Sequence, residues 1–200
     1  WLTGSGGFVG SSFARTLKDS GLGVRCFTNS PAETGEGRER EHDCVHLDYL
    51  DEVDIKRQID CWGLPDIFIH LGWGAMTSPD SPLHLEENVQ ASKTLIRTLF
   101  EAGLSKFVFM GSMNEYGGRV GNLVENMGPE GRLTNYAKGK TQVAEYGFQL
   151  ASRFKRTFIH IRSFYVFGAG QRGGSLINGL YQSYKQGLDA HLGPCEHYRD

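Results

Sequence analysis

Short apolar runs alternate with longer amphipathic stretches along residues 1–161. The short runs predict strands at 1–3, 24–28, 44–47, 66–71, 106–110 and 157–161, and apolar residues at helical spacing predict helices at 8–18, 51–60, 83–102 and 134–154. The run at 66–71 is apolar almost throughout, which is typical of a parallel strand covered on both faces. Strands that alternate with helices predict βαβ units, and right-handed crossovers then give an α/β fold, a Rossmann-type doubly wound parallel sheet.

This regular alternation ends near residue 162. Residues 1–162 predict a dinucleotide-binding Rossmann domain that also carries the catalytic residues, and the Gly-rich residues 163–200 predict the start of a smaller substrate-binding lobe. Residues 29–43 are polar and predict an exposed loop. Because the chain lacks an initiator Met and a closing helix, we expect it to be a fragment.

A glycine-rich turn follows the first strand. Gly4, Gly7 and Gly10 have the spacing Gly-x-x-Gly-x-x-Gly and lie between a strand and a helix. One glycine permits the tight turn, the next lets the backbone approach a diphosphate, and the last lets the helix pack on the strand. The free N–H groups at the start of the helix, around Phe8 and Val9, can then receive the anion.

The end of the second strand bears on the choice of cofactor. An acid there accepts from the adenosine ribose and favours NAD, whereas a neutral or basic site accommodates the phosphate of NADP. The strand ends at Thr28 and Asn29 without a carboxylate, and Arg38 and Arg40 lie in the following loop. We therefore favour NADP over NAD, although Asn29 is compatible with either. Asp48, just after the third strand, is placed to meet the adenine edge.

Three residues predict acid–base chemistry. Tyr136 and Lys140 form Tyr-x-x-x-Lys, and residues i and i+4 share a helix face. An ammonium beside a phenol lowers the phenol pKa from about 10, which makes Tyr136 a candidate general acid/base. Ser112 follows a strand at the carboxyl edge of the sheet, where its hydroxyl can polarise the reacting oxygen. A second match, Tyr181 and Lys185, follows no strand-ending serine.

Other candidates are better explained by structure than by chemistry. His70 lies within a buried strand, so we expect a hydrogen-bonded core histidine. Cys26 lies in a strand-like run and the chain has no Cys-x-x-Cys pair, so we expect a buried free thiol and a reducing, cytoplasmic setting. No spacing of His, Cys or carboxylates predicts a metal site, and Ser112 lacks the context of a nucleophile elbow, which argues against a hydrolase.

The charge balance and the length of the apolar runs exclude two classes of binding partner. The 200 residues carry 21 Lys and Arg against 23 Asp and Glu, a formal net charge of −2, so no basic excess predicts nucleic-acid binding. The longest apolar run is too short to span a bilayer. We therefore expect neither nucleic acid nor a membrane among the partners.

Together these residues resemble the extended short-chain dehydrogenases/reductases, specifically the NAD-dependent epimerase/dehydratase family, over nearly the whole chain. Thr-Gly-x-x-Gly-x-x-Gly at 3–10 is the form typical of that group, and Ser112, Tyr116, Tyr136 and Lys140 follow in its order. The resemblance implies a Rossmann fold with a small substrate lobe. It also implies frequent homodimers, built through the helices at 83–102 and 134–154.

The resemblance also implies further cofactor contacts. Asp48 matches the adenine-contacting acid of the family, and Leu71 and Gly72, in His-Leu-Gly-Trp, match the fourth-strand ending that lies along the cofactor. Asn88 matches the helix asparagine of the family. Lys140 is implied to hold the nicotinamide ribose as well as to tune Tyr136.

The substrate class rests on other residues. The segments that contain Arg172 and Arg199 resemble the nucleotide-sugar branch of the family. The two arginines would suit a diphosphate, since guanidinium groups pair with phosphate oxygens. Sugar 4,6-dehydratases carry an acid where this chain has Asn114, which argues against elimination and makes Asn114 a candidate substrate contact. Gly111 replaces the usual serine and Ser163 the usual proline, and neither change is expected to affect the chemistry.

The resulting hypothesis is NAD(P)-dependent hydride transfer on a nucleotide-linked sugar, by a 4-ketoreductase or an epimerase. Two alternatives stay open. One is an extended reductase of a non-sugar ketone. The other is a non-catalytic NADP-sensing scaffold on the same fold, although such proteins commonly lose the Tyr/Lys pair that this chain keeps.

Overall fold

The computed structural model describes residues 1–29, 44–168, 170–171 and 176–189. In these residues six strands form one parallel sheet in the order β3-β2-β1-β4-β5-β6. The strands are β1 (Leu2–Thr3), β2 (Cys26–Thr28), β3 (Cys44–His46), β4 (Ile67–His70), β5 (Lys106–Ser112) and β6 (Thr157–Ser163). The helices are α1 (Phe8–Asp19), α2 (Glu52–Trp62), α3 (Val89–Glu101), α4 (Asn135–Phe154) and α5 (Leu176–Gln186). This strand order is that of a Rossmann fold, as the sequence predicts.

The larger core lies between the sheet and helices α2, α3 and α4. Phe68, Phe107 and Phe109 lie on neighbouring strands and are fully buried in it. A smaller cluster of Leu2, Ala14 and Cys26 lies against α1 on the other face, and Cys26 is a buried free thiol, as predicted. The strand predicted at 66–71 is fully covered on the face of Phe68 and His70. The other face is covered in part, since Ile69 packs against the smaller cluster while Ile67 is 37% exposed.

Both strands at the β5–β6 edge run two residues further than the apolar pattern predicts. Gly111 pairs with Arg162 and Ser112 with Ser163, so that the parallel ladder continues past the last apolar residues. Gly and Ser resemble turn residues in a sequence, but here the partner strand holds them extended. The extension carries Ser112 to the carboxyl edge of the sheet.

The helix predicted at 83–102 is not a regular α-helix throughout. It begins with a π-helical turn, His84–Asn88, and only then continues as α3. His84 is fully buried, with Nε2 3.0 Å from the Ser78 carbonyl oxygen and Nδ1 accepting from the Trp73 indole N–H at 3.0 Å. These two bonds fix the position of the His84 ring within the π turn. Single π-helical turns of this kind are frequent at functional sites.

The chain divides into two compact units, Trp1–Ser163 and Phe164–Asp200. The first contains the sheet. The described part of the second contains α5. On this helix Tyr181 is 53% exposed, and its ring centre lies 5.3 Å from the Lys185 ammonium nitrogen. The second Tyr-x-x-x-Lys match therefore lies on an exposed helix surface. Across the described ranges, no helix is both long and apolar enough to cross a membrane.

Candidate active site

In the glycine turn, the backbone approaches neighbouring backbone segments so closely that a residue with a Cβ would not fit. Gly4 has a φ of +75°, and a Cβ there would lie 2.6 Å from the Gly72 nitrogen. A Cβ on Gly10 would overlap the Gly4 carbonyl. Gly7 is the N-cap of α1 and makes no side-chain cap hydrogen bond, so the helix presents bare N–H groups from Phe8 onward. This cradle fits the diphosphate of a dinucleotide.

The ends of β2 and β3 lie on the same side of the sheet as this turn. Asn29 follows β2 directly and is exposed, with no carboxylate on the strand end. Thr28 accepts from the Leu47 amide at 2.9 Å, which joins the two strand ends. Asp48 is exposed, and its Oδ1 accepts from the Leu50 amide at 2.9 Å, which fixes the carboxylate. Arg38 and Arg40 lie outside the described residues.

His70 is a structural residue, as predicted. Its Nδ1 lies 2.6 Å from the Thr3 hydroxyl and its Nε2 3.0 Å from the Ser92 hydroxyl. Burial lowers the pKa of His70 to about 3, so the ring is neutral and ties β1 and β4 to α3. The Thr3 hydroxyl also accepts from the Gly72 amide at 3.2 Å, which fixes the segment of Leu71 and Gly72 beside the glycine turn.

The structure brings Ser112 and Tyr136 together. Ser112 ends β5 and is buried, while Tyr136 lies in the first turn of α4, whose N-cap Thr134 accepts from the Ala137 amide. The Tyr136 amide donates to the Pro79 carbonyl at 2.8 Å. Burial raises the pKa of the Tyr136 phenol, and a hydrogen bond with Ser112 opposes this rise. The phenol of Tyr136 and the hydroxyl of Ser112 thus lie close enough to interact at the carboxyl edge of the sheet.

Lys140 does not act on Tyr136 in the way the sequence predicts. Its ammonium donates to the Met110 carbonyl at 2.7 Å and lies 3.9 Å from the centre of a Trp73 ring, but 5.8 Å from the Tyr136 ring centre. Burial lowers the pKa of Lys140 to about 7. The expected lowering of the Tyr136 pKa by this ammonium is therefore wrong for this structure, because burial dominates and raises the pKa of Tyr136.

An aromatic wall joins the glycine turn to the catalytic pair. Trp73 follows Gly72, and its ring centre lies 6.2 Å from that of Tyr136, with His84 5.4 Å from Tyr136. Gly139 lets α4 approach this wall, since a Cβ there would lie 2.9 Å from the His84 carbonyl oxygen. The rings of Trp73 and His84 therefore lie between the segment beside the glycine turn and the Tyr136 phenol.

Asn88 supports this wall from the π turn. Its Oδ1 accepts from the Gly74 amide at 2.8 Å, and its Nδ2 donates to the Gly74 carbonyl at 3.3 Å. The Asn88 side-chain amide thus pairs with both the N–H and the carbonyl of Gly74, as a neighbouring strand would, and fixes the segment after β4. Its side chain is engaged with the protein rather than turned towards a ligand.

Sequence reasoning missed Glu115. This carboxylate is buried, and its Oε1 accepts from the Ser112 amide at 2.7 Å while the Ser112 hydroxyl accepts from the Asn114 amide at 3.2 Å. The two bonds form a capping box, which the spacing Ser-x-x-Glu could have revealed. Asn114 itself is exposed, and Arg172 and Arg199 lie outside the described residues. In the described part of the chain, no group of three or more His, Cys, Asp or Glu could hold a metal ion.

A parallel sheet of this order, with a glycine cradle and a Ser-Tyr-Lys trio, defines a dinucleotide-binding protein of the short-chain dehydrogenase type. The chain belongs to the NAD dependent epimerase/dehydratase family, whose model matches residues 1–200.

Solved structures share the fold. A UDP-glucose 4-epimerase of Thermotoga maritima, crystallised with UDP-glucose, is 22% identical with a TM-score of 0.82 over 100% of this chain and 67% of that chain. A Thermus thermophilus UDP-glucose 4-epimerase with NAD is 22% identical, with a TM-score of 0.76 over 94% of this chain and 63% of that chain. MoeE5, solved with UDP-glucose and NAD, is 26% identical, with a TM-score of 0.70 over 91% of this chain and 59% of that chain. This chain thus spans about two thirds of their length or less.

Proposed function

We propose that this protein is an NAD(P)-dependent oxidoreductase or epimerase that transfers a hydride at a ring carbon of a nucleotide-linked sugar. The observation that carries the proposal is the meeting of Ser112 and Tyr136 at the carboxyl edge of the sheet, with Lys140 buried beside them. The wall of Trp73 and His84 connects this pair to the glycine cradle. A phenol placed there can take a proton from a sugar hydroxyl or return one to a carbonyl.

The roles follow from the positions of the side chains. Tyr136 moves the proton of the sugar oxygen. The Ser112 hydroxyl accepts from the Asn114 amide, so its own proton is available to donate to the developing oxyanion. Lys140 holds the end of β5 against α4 through the Met110 carbonyl, and it would hold the nicotinamide ribose when the cofactor is bound.

The cofactor would be held by the cradle and by the strand ends beside it. The amides of Phe8 and Val9 would receive the diphosphate, and Gly7, whose own amide donates to the Gly4 carbonyl at 3.0 Å, would lie against it, with Gly4 and Gly10 allowing the approach. The other contacts of the proposed cofactor site are Thr28, Asn29, Asp48, Leu71 and Gly72. When bound, the nicotinamide supplies the acceptor or donor of the hydride.

The choice between NADP and NAD rests on opposing indications. Asn29 places no acid at the end of β2, which favours NADP. The Thermus thermophilus epimerase and MoeE5 were both solved with NAD, which favours NAD. Equilibrium binding of the two cofactors to the same preparation separates these possibilities.

The substrate would be a nucleoside diphosphate sugar. The Thermotoga maritima epimerase and MoeE5 were both solved with UDP-glucose, which supports a uridine nucleotide as the first to test. Asn114, exposed two residues after Ser112, would face the sugar. Arg172 and Arg199 would pair with the diphosphate. We expect a reducing, cytoplasmic setting and a homodimer formed through α3 and α4.

The test is a panel of nucleotide sugars. The protein loaded with oxidised or reduced cofactor is mixed with UDP, dTDP, GDP and CDP sugars, and the absorbance of the reduced nicotinamide and the sugar products are followed. The proposal expects turnover with at least one nucleotide sugar and none with the free sugars. Turnover of simple ketones alone would identify a non-sugar reductase, and cofactor binding without any turnover would identify a sensing scaffold.

A further inference from the structure

A buried carboxylate lies directly behind the proposed oxyanion-stabilising residue. The Glu115 side chain is 1% exposed, and it accepts from the Ser112 amide at 2.7 Å. Since the Ser112 hydroxyl is bonded to the Asn114 amide, the backbone and side chain of Ser112 are both fixed by one turn. A glutamate in a short turn needs no such burial to cap it, so the depth of Glu115 calls for a second role.

The partners of Glu115 are two cationic or ionisable groups on β6. The His160 Nε2 lies 3.2 Å from Oε1, and the Arg162 Nε lies 3.7 Å from Oε2. Neither Oε2 nor the Arg162 Nε has a hydrogen-bond partner, so the ion pair itself is what compensates this buried charge. The Arg162 guanidinium also donates to the Glu125 carbonyl at 3.0 Å, which limits its movement.

Gly111, one of two departures from the family pattern, makes room for this cluster. A Cβ at Gly111 would overlap both the His160 imidazole and the Glu115 carboxylate, so the serine usual there would not fit beside them. Ser163, where proline is usual, lies 3.4 Å from the Gly111 carbonyl and can donate to it. Gly111 therefore lies directly against the cluster behind Ser112.

The charge of Glu115 reaches the catalytic pair. It raises the pKa of the Tyr136 phenol, after the larger effect of burial, and it opposes the lowering of the Lys140 pKa by burial. The charged and titratable groups that surround the carboxylate are His160 and Arg162 on β6 and Tyr136 and Lys140 on α4.

We propose that Glu115, held by His160 and Arg162, is a positioning residue that fixes the Ser112 hydroxyl against Tyr136 and sets the charge behind the pair. The inference rests on the proposed function and adds a residue to it. Loss of the carboxylate removes a negative charge that disfavours the phenolate, whereas loss of the Arg162 charge leaves that negative charge uncompensated. The two changes therefore move the Tyr136 titration in opposite directions.

The experiment reads the phenol directly. Phenolate absorbance is titrated in the wild type and in Glu115→Gln, each with and without Tyr136→Phe, so that the difference isolates Tyr136. We expect Glu115→Gln to lower the pH at which Tyr136 ionises and Arg162→Gln to raise it. Glu145→Gln, an exposed glutamate on α4, is the matched control and should leave it unchanged.

The kinetic readout is a split between kcat and KM. With the nucleotide sugar that the wild type turns over, Glu115→Gln should lower kcat about tenfold and leave KM within about twofold, since binding contacts stay in place. A folded Glu115→Gln protein whose Tyr136 titration is unmoved overturns the inference, and so does unchanged kcat. If Glu115→Gln does not fold, an unmoved titration in Arg162→Gln does the same. Failure of the proposed function is distinguishable, since it is inactivity of the wild type with every nucleotide sugar.

Discussion

The Lys140 ammonium donates to the Met110 main-chain carbonyl at 2.7 Å, across the contact between α4 and β5. Met110 lies two residues before Ser112, so this bond ties the helix that carries Tyr136 to the strand that carries Ser112. The ammonium is fully buried, and burial lowers the pKa of Lys140 from an ordinary value near 10.5 to about 7. One side chain therefore joins the elements that carry the two proposed catalytic groups, and its titration makes the stability of the fold depend on pH.

The first prediction concerns that pH dependence. Between about pH 7 and pH 10.5 the unfolded chain holds a proton on Lys140 that the folded chain has released, so folding is favoured more as pH rises. Lys140→Met lacks this titration. We expect the stability of the wild type, relative to Lys140→Met, to rise through this range by up to about 1 kcal/mol per pH unit. Urea unfolding of both proteins at pH 7, 8 and 9 measures it, and a constant difference would contradict the structure.

The second prediction concerns the phenol. Tyr136→Phe removes the proton carrier but keeps the ring that packs on Trp73 and His84. Turnover should fall by about 10²–10⁴-fold, while cofactor affinity stays within about twofold. Tyr181→Phe, in the exposed second Tyr-x-x-x-Lys match, is the control and should retain full turnover. Equal losses in both variants would show that the assignment of Tyr136 is wrong.

The third prediction concerns the glycine cradle. Gly10→Ala places a methyl group onto the Gly4 carbonyl, so the turn must open and dinucleotide affinity should fall by at least about tenfold. Gly6→Ala lies in the same turn, but its Cβ would meet no atom within 4 Å, and the cofactor affinity should change little. Calorimetric titration with each cofactor compares them. A Gly6→Ala loss as large as that of Gly10→Ala would indicate that the close approach is not what matters.

The fourth prediction concerns the choice of cofactor. Asn29 is exposed at the end of β2, where a carboxylate would repel a 2′-phosphate and accept from a 2′-hydroxyl. Asn29→Asp should therefore shift the ratio of NADP to NAD affinity towards NAD by about tenfold or more. Thr16→Asp adds the same charge on the exposed part of α1 and is the control. An unchanged ratio in Asn29→Asp would remove this residue from the ribose site.

The fold could be predicted from the sequence where periodicity alone decides it. The alternation of apolar runs and amphipathic stretches gives the order of strands and helices, and Gly4, Gly7 and Gly10 mark the first turn. The π turn could not be predicted, because Leu85 and Val89 keep a helical spacing through it. His84, in that turn, is bonded to Ser78 and Trp73, which lie before the helix and outside its apolar pattern.

The sequence could indicate the candidate residues of the site, but it could not indicate their electrostatics. Ser112, Tyr136 and Lys140 carry recognisable spacings, and the structure brings Ser112 and Tyr136 together. The direction of the Tyr136 pKa depends on how deeply the phenol is buried and on the carboxylate of Glu115, and neither is visible in a linear motif. The depth of burial depends on how the sheet and helix pack. Lys140 therefore lies on the same helix as Tyr136, as the i, i+4 spacing predicts, but its ammonium bonds the Met110 carbonyl and not the phenol.

The most direct test of the account is isotopic. The protein is given reduced cofactor carrying deuterium at the nicotinamide C4 together with a 4-keto nucleotide sugar, and the sugar product is analysed by mass spectrometry and NMR. We expect deuterium at one ring carbon of the sugar, and labelled product that forms about 10²–10⁴-fold more slowly with Tyr136→Phe. A product without deuterium, or labelled product formed equally well by Tyr136→Phe, would contradict hydride transfer at this site.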